Sequence, residues 1–118
     1  MHKYFLTFLT ATSILFNSCT NGHTQTTNTN LSATEFSDKI KTLPSAPIVD
    51  VRTPEEFAKG HLQNAKNYDW NGNDFQKQIS TFDKSKPVFV YCLSGGRSSS
   101  TASQMRSAGF KEVYELSG

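Results

Sequence analysis

The sequence predicts an α/β domain with a mainly parallel central sheet flanked by helices. Short apolar runs rich in β-branched residues alternate with segments whose apolar residues recur at helical spacing, the order expected of strands and helices in such a fold. The clearest run, residues 87–92 (PVFVYC), is apolar on both faces and predicts a central strand. At 118 residues the chain has room for one domain.

The predicted helices carry start or stop signals. Ser32 and Glu35 have the spacing of a capping box, and Pro44 ends the helix that follows. Thr53 provides an N-cap directly before Pro54, which suits the first position of a helix. The predicted helices cover residues 33–42, 54–60, 74–82 and 98–108.

The predicted strands are short apolar runs bounded by prolines, glycines or polar residues. They cover residues 47–51, 67–69, 87–92 and 113–116. In parallel sheets, ligands bind outside the carboxyl ends of the strands. Cys92 stands at such an end, and Gly95 and Gly96 follow it.

Residues 1–18 have the layout of a secretory signal peptide. Lys3 precedes a mostly apolar run over residues 4–16, which is too short to span a bilayer comfortably. Small and polar residues then lead to Cys19. This end resembles the lipobox of bacterial lipoproteins, which implies a lipid anchor on Cys19 and export to the bacterial cell envelope, in the periplasm or at the cell surface. The alternative is an ordinary signal peptide with a coincidental cysteine.

Residues 19–30 are rich in Thr and Asn and have no apolar anchor, so they predict a flexible tether. The folded domain is then expected over residues 31–118. Removing the signal peptide removes Lys3 and lowers the formal net charge from +2 to +1, and no basic run indicates a nucleic-acid partner. With Cys19 lipidated, Cys92 is the one remaining thiol, and it has no partner for an intrachain disulfide.

Residues 92–98 (CLSGGRS) place a cysteine, a glycine-rich turn and a helix start side by side. Gly95 and Gly96 let successive N–H groups turn inward as an anion-binding nest, and the helix N-terminus adds its positive dipole end. Such surroundings lower the pKa of a thiol from about 8.5 to roughly 3.5–7.5. Arg97 adds a planar fork suited to tetrahedral oxyanions. The alternative is a buried structural cysteine followed by a turn.

The same segment resembles the active-site loop of single-domain rhodanese-like sulfurtransferases, Cys-x-x-Gly-x-Arg-Ser. Upstream residues agree in order and spacing with that family's signature, Asp-x-Arg…Glu-Phe…Gly-His-Ile-x-x-Ala-x-Asn. The corresponding residues here are Asp50, Arg52, Glu56, Phe57, Gly60, His61, Leu62, Ala65 and Asn67. Residues 108–118 resemble the segment that follows the active-site helix, so the resemblance covers nearly all of residues 31–118.

The resemblance implies a rhodanese-like domain with sulfurtransferase chemistry. The Cys92 thiolate would take a sulfane sulfur from a donor such as thiosulfate, hold it as a persulfide and pass it to cyanide or a thiol, with no metal or organic cofactor. Arg97 would orient the oxyanion end of the donor. The residues implied to bind substrate are Leu93, Ser94, Gly95, Gly96, Arg97 and Ser98. The residues expected to form a supporting set of ion pairs and hydrogen bonds are Asp50, Arg52 and Glu56.

Two features depart from the family's pattern. Gln63 and Asn64 stand where the family usually has Pro-Gly, a loop change that we expect to be tolerated. Relatives normally continue past the position of Gly118 into another helix with a tryptophan. Either the sequence is incomplete, or the domain is short at its C-terminus and lacks a covering helix, the loss of which would expose apolar surface and lower stability.

Other functions use a comparable loop. Phosphatases and arsenate reductases of related fold place five residues between cysteine and arginine, whereas four separate Cys92 from Arg97 here. The shorter loop better suits a protruding sulfur atom. A non-catalytic sulfur carrier, thiol-redox or partner-binding module is a further alternative, and donor-driven turnover with cyanide would separate it from an enzyme.

Overall fold

The computed structural model describes residues 29–118, so the expected signal peptide, the Cys19 anchor and nearly all of the tether lie outside the described residues. The strands are β1 (Asn30–Leu31), β2 (Ile48–Asp50), β3 (Ala65–Asn67), β4 (Val88–Tyr91) and β5 (Val113–Leu116). They form one five-stranded sheet in the order β1-β5-β4-β2-β3, and each neighbouring pair is parallel. The predicted fold class, a parallel central sheet flanked by helices, is confirmed.

The helices of residues 29–118 are α1 (Ala33–Thr42), α2 (Pro54–Lys59), α3 (Phe75–Ile79) and α4 (Gly96–Ser107). The prediction of a helix over 74–82 was too long, because Thr81 and Phe82 each donate their N–H to a carbonyl three residues earlier, which tightens the chain into a turn. Helix α4 starts two residues before the predicted start at Ser98, because the N–H of Ser99 already donates to the Gly95 carbonyl at 2.9 Å. None of these helices is long and apolar enough to cross a membrane.

The positions of two strands differ from the prediction, because pairing with neighbouring strands determines where they lie. Strand β3 pairs with β2 along Ala65–Asn67, whereas residues 67–69 were predicted. The N–H groups of Tyr68 and Trp70 still donate to carbonyls at the end of β2, at 3.0 and 3.1 Å, so the chain follows β2 beyond the strand. Strand β1 was not predicted, since its two residues are too few to show a periodic pattern.

Two apolar cores cover the two faces of the sheet. One core lies against α3 and α4, and its members include Val49, Phe75, Val88, Val90, Met105 and Val113. The other lies against α1, and its members are Leu31, Phe36, Ile48, Phe89, Tyr91 and Tyr114. Strand β4 is buried along its whole length and its side chains alternate between the two cores, as predicted for a central strand.

The carboxyl ends of the parallel strands share one edge of the sheet. Strand β2 ends there at Asp50 and β4 at Tyr91, directly before Cys92. A capping box in front of α2 adds a carboxylate, since the Thr53 N–H donates to Glu56 Oε2 at 3.0 Å and the Glu56 N–H donates to Thr53 Oγ1 at 3.2 Å. Charged and reactive side chains therefore meet at the edge where a ligand is expected.

Candidate active site at the end of strand β4

Cys92 directly follows β4 and faces the start of α4. Its Sγ accepts hydrogen bonds from the N–H groups of Gly95 at 3.1 Å and Ser98 at 3.4 Å. Cys92 is only 6% exposed, because it directly follows the buried strand β4. The loop and the first turn of α4 thus surround one sulfur atom with backbone N–H groups, which is the geometry of an anion-binding nest.

The Ser98 hydroxyl is a third partner of the sulfur. As a thiol, Cys92 donates its S–H to Ser98 Oγ at 3.4 Å, while the Ser98 hydroxyl donates to the Gly95 carbonyl at 3.1 Å. A hydroxyl carries one proton, so after ionisation of the thiol it can rotate and donate to the sulfur instead. Ser98 is fully buried, which protects this exchange from competition by water.

Opposing effects set the pKa of Cys92. Burial is the largest single effect and raises the pKa, whereas hydrogen bonds from the Ser98 hydroxyl and from the N–H groups of Ser98, Gly95 and Ser94 lower it. Together the hydrogen bonds outweigh burial, so the pKa of Cys92 lies below its ordinary value. A larger fraction of the sulfur is therefore the nucleophilic thiolate at neutral pH.

The two glycines of the loop differ in their structural roles. Gly95 has a φ of +85°, and a Cβ built there would lie 2.8 Å from the backbone nitrogen of Gly118, so a side chain would be both strained and obstructed. Gly96 begins α4, and nothing lies within 4 Å of the position of its Cβ. Gly95 is therefore the residue that shapes the turn around the sulfur.

Arg97, in the first turn of α4, forms a bidentate ion pair with Glu56 of α2. Arg97 Nη1 lies 2.7 Å from Glu56 Oε2, and Nη2 lies 3.0 Å from Oε1. Hydrogen bonds, first from Arg97 and then from the Thr53 N–H, lower the pKa of Glu56 to about 2. The guanidinium expected to orient an oxyanion thus already holds a carboxylate.

Asp50 and Arg52 form a second, separate pair at the end of β2. The buried Asp50 carboxylate accepts hydrogen bonds from Arg52 Nε at 2.9 Å and Nη2 at 2.6 Å. Arg52 Nη2 also donates to the Gly60 carbonyl at 2.7 Å, and the Asn67 side-chain amide donates to the carbonyls of Asp50 and Arg52 at 3.1 and 2.8 Å. The predicted supporting set is therefore split, because Asp50 and Arg52 pair with each other whereas Glu56 pairs with Arg97. The Asp50–Arg52 pair and its neighbours join β2 to β3 and to the turn after α2.

Tyr91, which directly precedes Cys92, was not identified from the sequence. Its hydroxyl accepts the N–H of Leu62 at 3.0 Å, and the guanidinium of Arg52 lies 5.7 Å from its ring centroid. Burial is the largest cause that raises the pKa of Tyr91 to about 12, so the phenol stays neutral. Tyr91 fixes the turn after α2, and its sequence signal was only its place at the end of a strand.

Packing contacts hold two aromatic side chains of the upstream segments. The His61 ring stacks on Phe57 with 3.6 Å between centroids, and its Nδ1 lies 3.0 Å from the Phe57 carbonyl oxygen. Trp70 packs edge-on against Phe75 at 5.1 Å, beside the core of α3 and α4.

Leu93, in contrast, is 70% exposed directly after Cys92. Within residues 29–118, no three His, Cys, Asp or Glu side chains form a metal-binding group.

Sequence comparisons relate this chain to known proteins. The model of the rhodanese-like domain family matches residues 32–118. Thiosulfate sulfurtransferase GlpE from Ectopseudomonas mendocina is 38% identical over 74 residues, which are 62% of this chain and 65% of GlpE. The uncharacterized protein YqhL from Bacillus subtilis is 34% identical over 73 residues, 62% of this chain and 56% of YqhL. The aligned part of this chain thus spans less than two thirds of the length of these relatives.

Solved structures give the same fold. A rhodanese-like domain protein from Staphylococcus aureus superimposes with a TM-score of 0.66 at 26% identity, covering 75% of this chain and 84% of that protein. A human single-domain sulfurtransferase gives a TM-score of 0.61 at 22% identity, covering 76% of this chain and 89% of the human protein. The second likeness concerns the fold alone.

Replacing the two loop glycines separately tests the geometry around the sulfur. Gly95→Ala is expected to slow alkylation of Cys92 by iodoacetamide at neutral pH by about tenfold, the effect of raising the thiol pKa by about one unit, because it displaces a backbone donor. Gly96→Ala is the matched control and should alter the rate less than about twofold, because a helix start accepts alanine. Peptide mass spectrometry resolves Cys92 from Cys19, and equal rates in the two variants would contradict the assigned role of Gly95.

Proposed function

The chain belongs to the rhodanese-like domain family, and on that premise we propose that it is a sulfurtransferase that carries a sulfane sulfur on Cys92. The observation that carries this proposal is the pair of N–H groups, from Gly95 and Ser98, that donate to Cys92 Sγ. The lowered pKa of Cys92 supplies the nucleophile. The name of the GlpE relative, thiosulfate sulfurtransferase, supports the reaction class.

In the first half-reaction, the Cys92 thiolate attacks the outer sulfur of a donor such as thiosulfate. A bond forms between Cys92 Sγ and that sulfur, the sulfur–sulfur bond of the donor breaks, and sulfite leaves with the electron pair. The product is a Cys92 persulfide anion. The loop N–H groups stabilise negative charge on this side chain before and after transfer.

In the second half-reaction, an acceptor attacks the outer sulfur of the persulfide. Cyanide leaves as thiocyanate and a thiolate leaves as a persulfide, and in both cases the Cys92 thiolate returns. Two half-reactions joined by a covalent intermediate give ping-pong kinetics. The Ser98 hydroxyl, within 3.4 Å of Sγ, is positioned to donate to the returning thiolate.

The other functions considered for the loop fit the site less well. A phosphatase needs cationic groups directed at a phosphate dianion, whereas both Nη atoms of Arg97 are engaged by Glu56. A module that only binds a partner needs no thiol of lowered pKa, and Cys92 has one. Sulfur transfer therefore accounts for more of the site than a phosphatase or a binding module does. A non-catalytic sulfur carrier or thiol-redox module would use the same thiol, and donor-driven turnover with cyanide separates it from an enzyme.

We also propose that the domain is exported and tethered to a bacterial membrane by a lipid on Cys19. The support is the sequence of residues 1–19, which the structure does not describe. Expression in a bacterial host with labelled palmitate is expected to label the native chain and not a Cys19→Ala variant. Equal labelling of the two chains, or none in either, would contradict the anchor.

Intact-protein mass spectrometry tests the persulfide directly. We expect the native chain to gain one sulfur atom when it is incubated with thiosulfate or with cysteine persulfide, and to lose that atom on addition of cyanide. A Cys92→Ser variant should gain none at this position, because it lacks the nucleophile. Absence of any gain from both donors, in native protein shown by circular dichroism to be folded, would overturn the proposed function.

A further inference from the structure

We propose that this site takes its sulfur from organic persulfides, R–S–SH, in preference to the thiosulfate dianion. This substrate class rests on the sulfurtransferase function proposed above. Two features of the sheet edge point to it: the arginine of the loop is paired with a carboxylate, and the apolar side chain of the residue after Cys92 is exposed.

The Arg97 guanidinium is committed to Glu56. Both terminal nitrogens bind the carboxylate, at 2.7 and 3.0 Å, and both side chains are about one-third exposed or less, at 27% and 30%. The capping box fixes Glu56 from the other side, because its Oε2 also accepts the N–H of Thr53 at 3.0 Å. A donor anion would have to displace a bidentate, doubly anchored carboxylate in order to reach Arg97.

The other arginines of residues 29–118 offer no substitute. Arg52 is paired with the buried Asp50 and with the Gly60 carbonyl. Arg106, in the last turn of α4, donates to the Val113 carbonyl and to Thr29. The loop itself, residues 92–98, contains no lysine. The hydrogen bonds to the sulfur itself therefore come from neutral groups, the Ser98 hydroxyl and the N–H groups of Ser98 and Gly95, while the charge of Arg97 is shared with Glu56.

This charge balance acts differently on the two kinds of donor. Thiosulfate carries two negative charges and must approach a thiolate, so its encounter depends on a free cation that opposes the repulsion. A persulfide carries at most one charge on its reacting sulfur, and its R group can be apolar in part. Leu93, 70% exposed directly after Cys92, offers that group an apolar contact.

The transfer from a persulfide balances without a further reagent. The Cys92 thiolate attacks the terminal sulfur of R–S–SH. A bond forms between Sγ and that sulfur, and the sulfur–sulfur bond of the donor breaks. The electron pair leaves on R–S⁻, which takes the proton of the new Cys92 persulfide. The products are the Cys92 persulfide anion and R–SH.

The test compares kcat/KM for cysteine persulfide and for thiosulfate, with cyanide as acceptor, in three forms of the chain. In the native chain we expect the persulfide to be preferred at least about tenfold. In Glu56→Gln that preference should fall about tenfold, because a neutral amide frees the charge of Arg97 while Gln still completes a capping box. Glu55→Gln, at the exposed neighbouring position, is the matched control and should keep the native preference.

Three results would count against the inference, and they are distinct. Equal or higher kcat/KM for thiosulfate in the native chain would overturn the donor preference and leave the sulfurtransferase function standing. A preference unchanged in Glu56→Gln, or lowered equally in Glu55→Gln, would overturn its assignment to the Glu56–Arg97 pair. Transfer from neither donor to folded native protein would overturn the proposed function itself.

Discussion

The arrangement of groups at this edge of the sheet depends on two hydrogen bonds to Cys92 Sγ. They come from the N–H groups of Gly95 and Ser98, at 3.1 and 3.4 Å. Strand β4 supplies the sulfur from a fully buried position, so the core, rather than the loop, sets where it lies. Gly95 turns the chain through a left-handed conformation, close to the backbone of Gly118. Helix α4 then places the Ser98 N–H and hydroxyl within hydrogen-bonding distance of the sulfur. Because the backbone of the loop is already held in this geometry, only the Ser98 hydroxyl has to rotate when charge develops on the sulfur.

The two ion pairs support the structure around the site, and neither of them supplies a hydrogen bond to the sulfur. Asp50 and Arg52 lie two residues apart at the end of β2, with the carboxylate fully buried. Glu56 and Arg97 join α2 to the start of α4 across 41 residues of sequence. This second pair is partly exposed, so its effect on stability is small, and its larger consequence is that Arg97 shares its charge with a carboxylate. The hydrogen bonds to the sulfur come from neutral groups, the Ser98 hydroxyl and the N–H groups of Ser98 and Gly95.

Local signals in the sequence predicted those elements that are determined locally. A capping box marked α1, an N-cap residue before a proline marked α2, an apolar run marked β4, and residues 92–98 identified the loop and its N–H groups. The positions of β1 and β3 could not be predicted, because pairing with β5 and β2 sets them. The partner of Arg97 and the difference between Gly95 and Gly96 depend on tertiary contacts, which no spacing in the sequence encodes.

The pKa of Cys92 tests the central claim, that the loop stabilises negative charge on this sulfur, most directly. The ultraviolet absorbance of the thiolate is followed against pH in the native chain and in Cys92→Ser, and the difference removes the contribution of Cys19. The account predicts a midpoint below that of an ordinary thiol, measured on an unstructured cysteine peptide in the same buffer, because hydrogen bonds outweigh burial. A midpoint at or above that value in folded protein would contradict it, since burial would then dominate and the loop would not favour the thiolate.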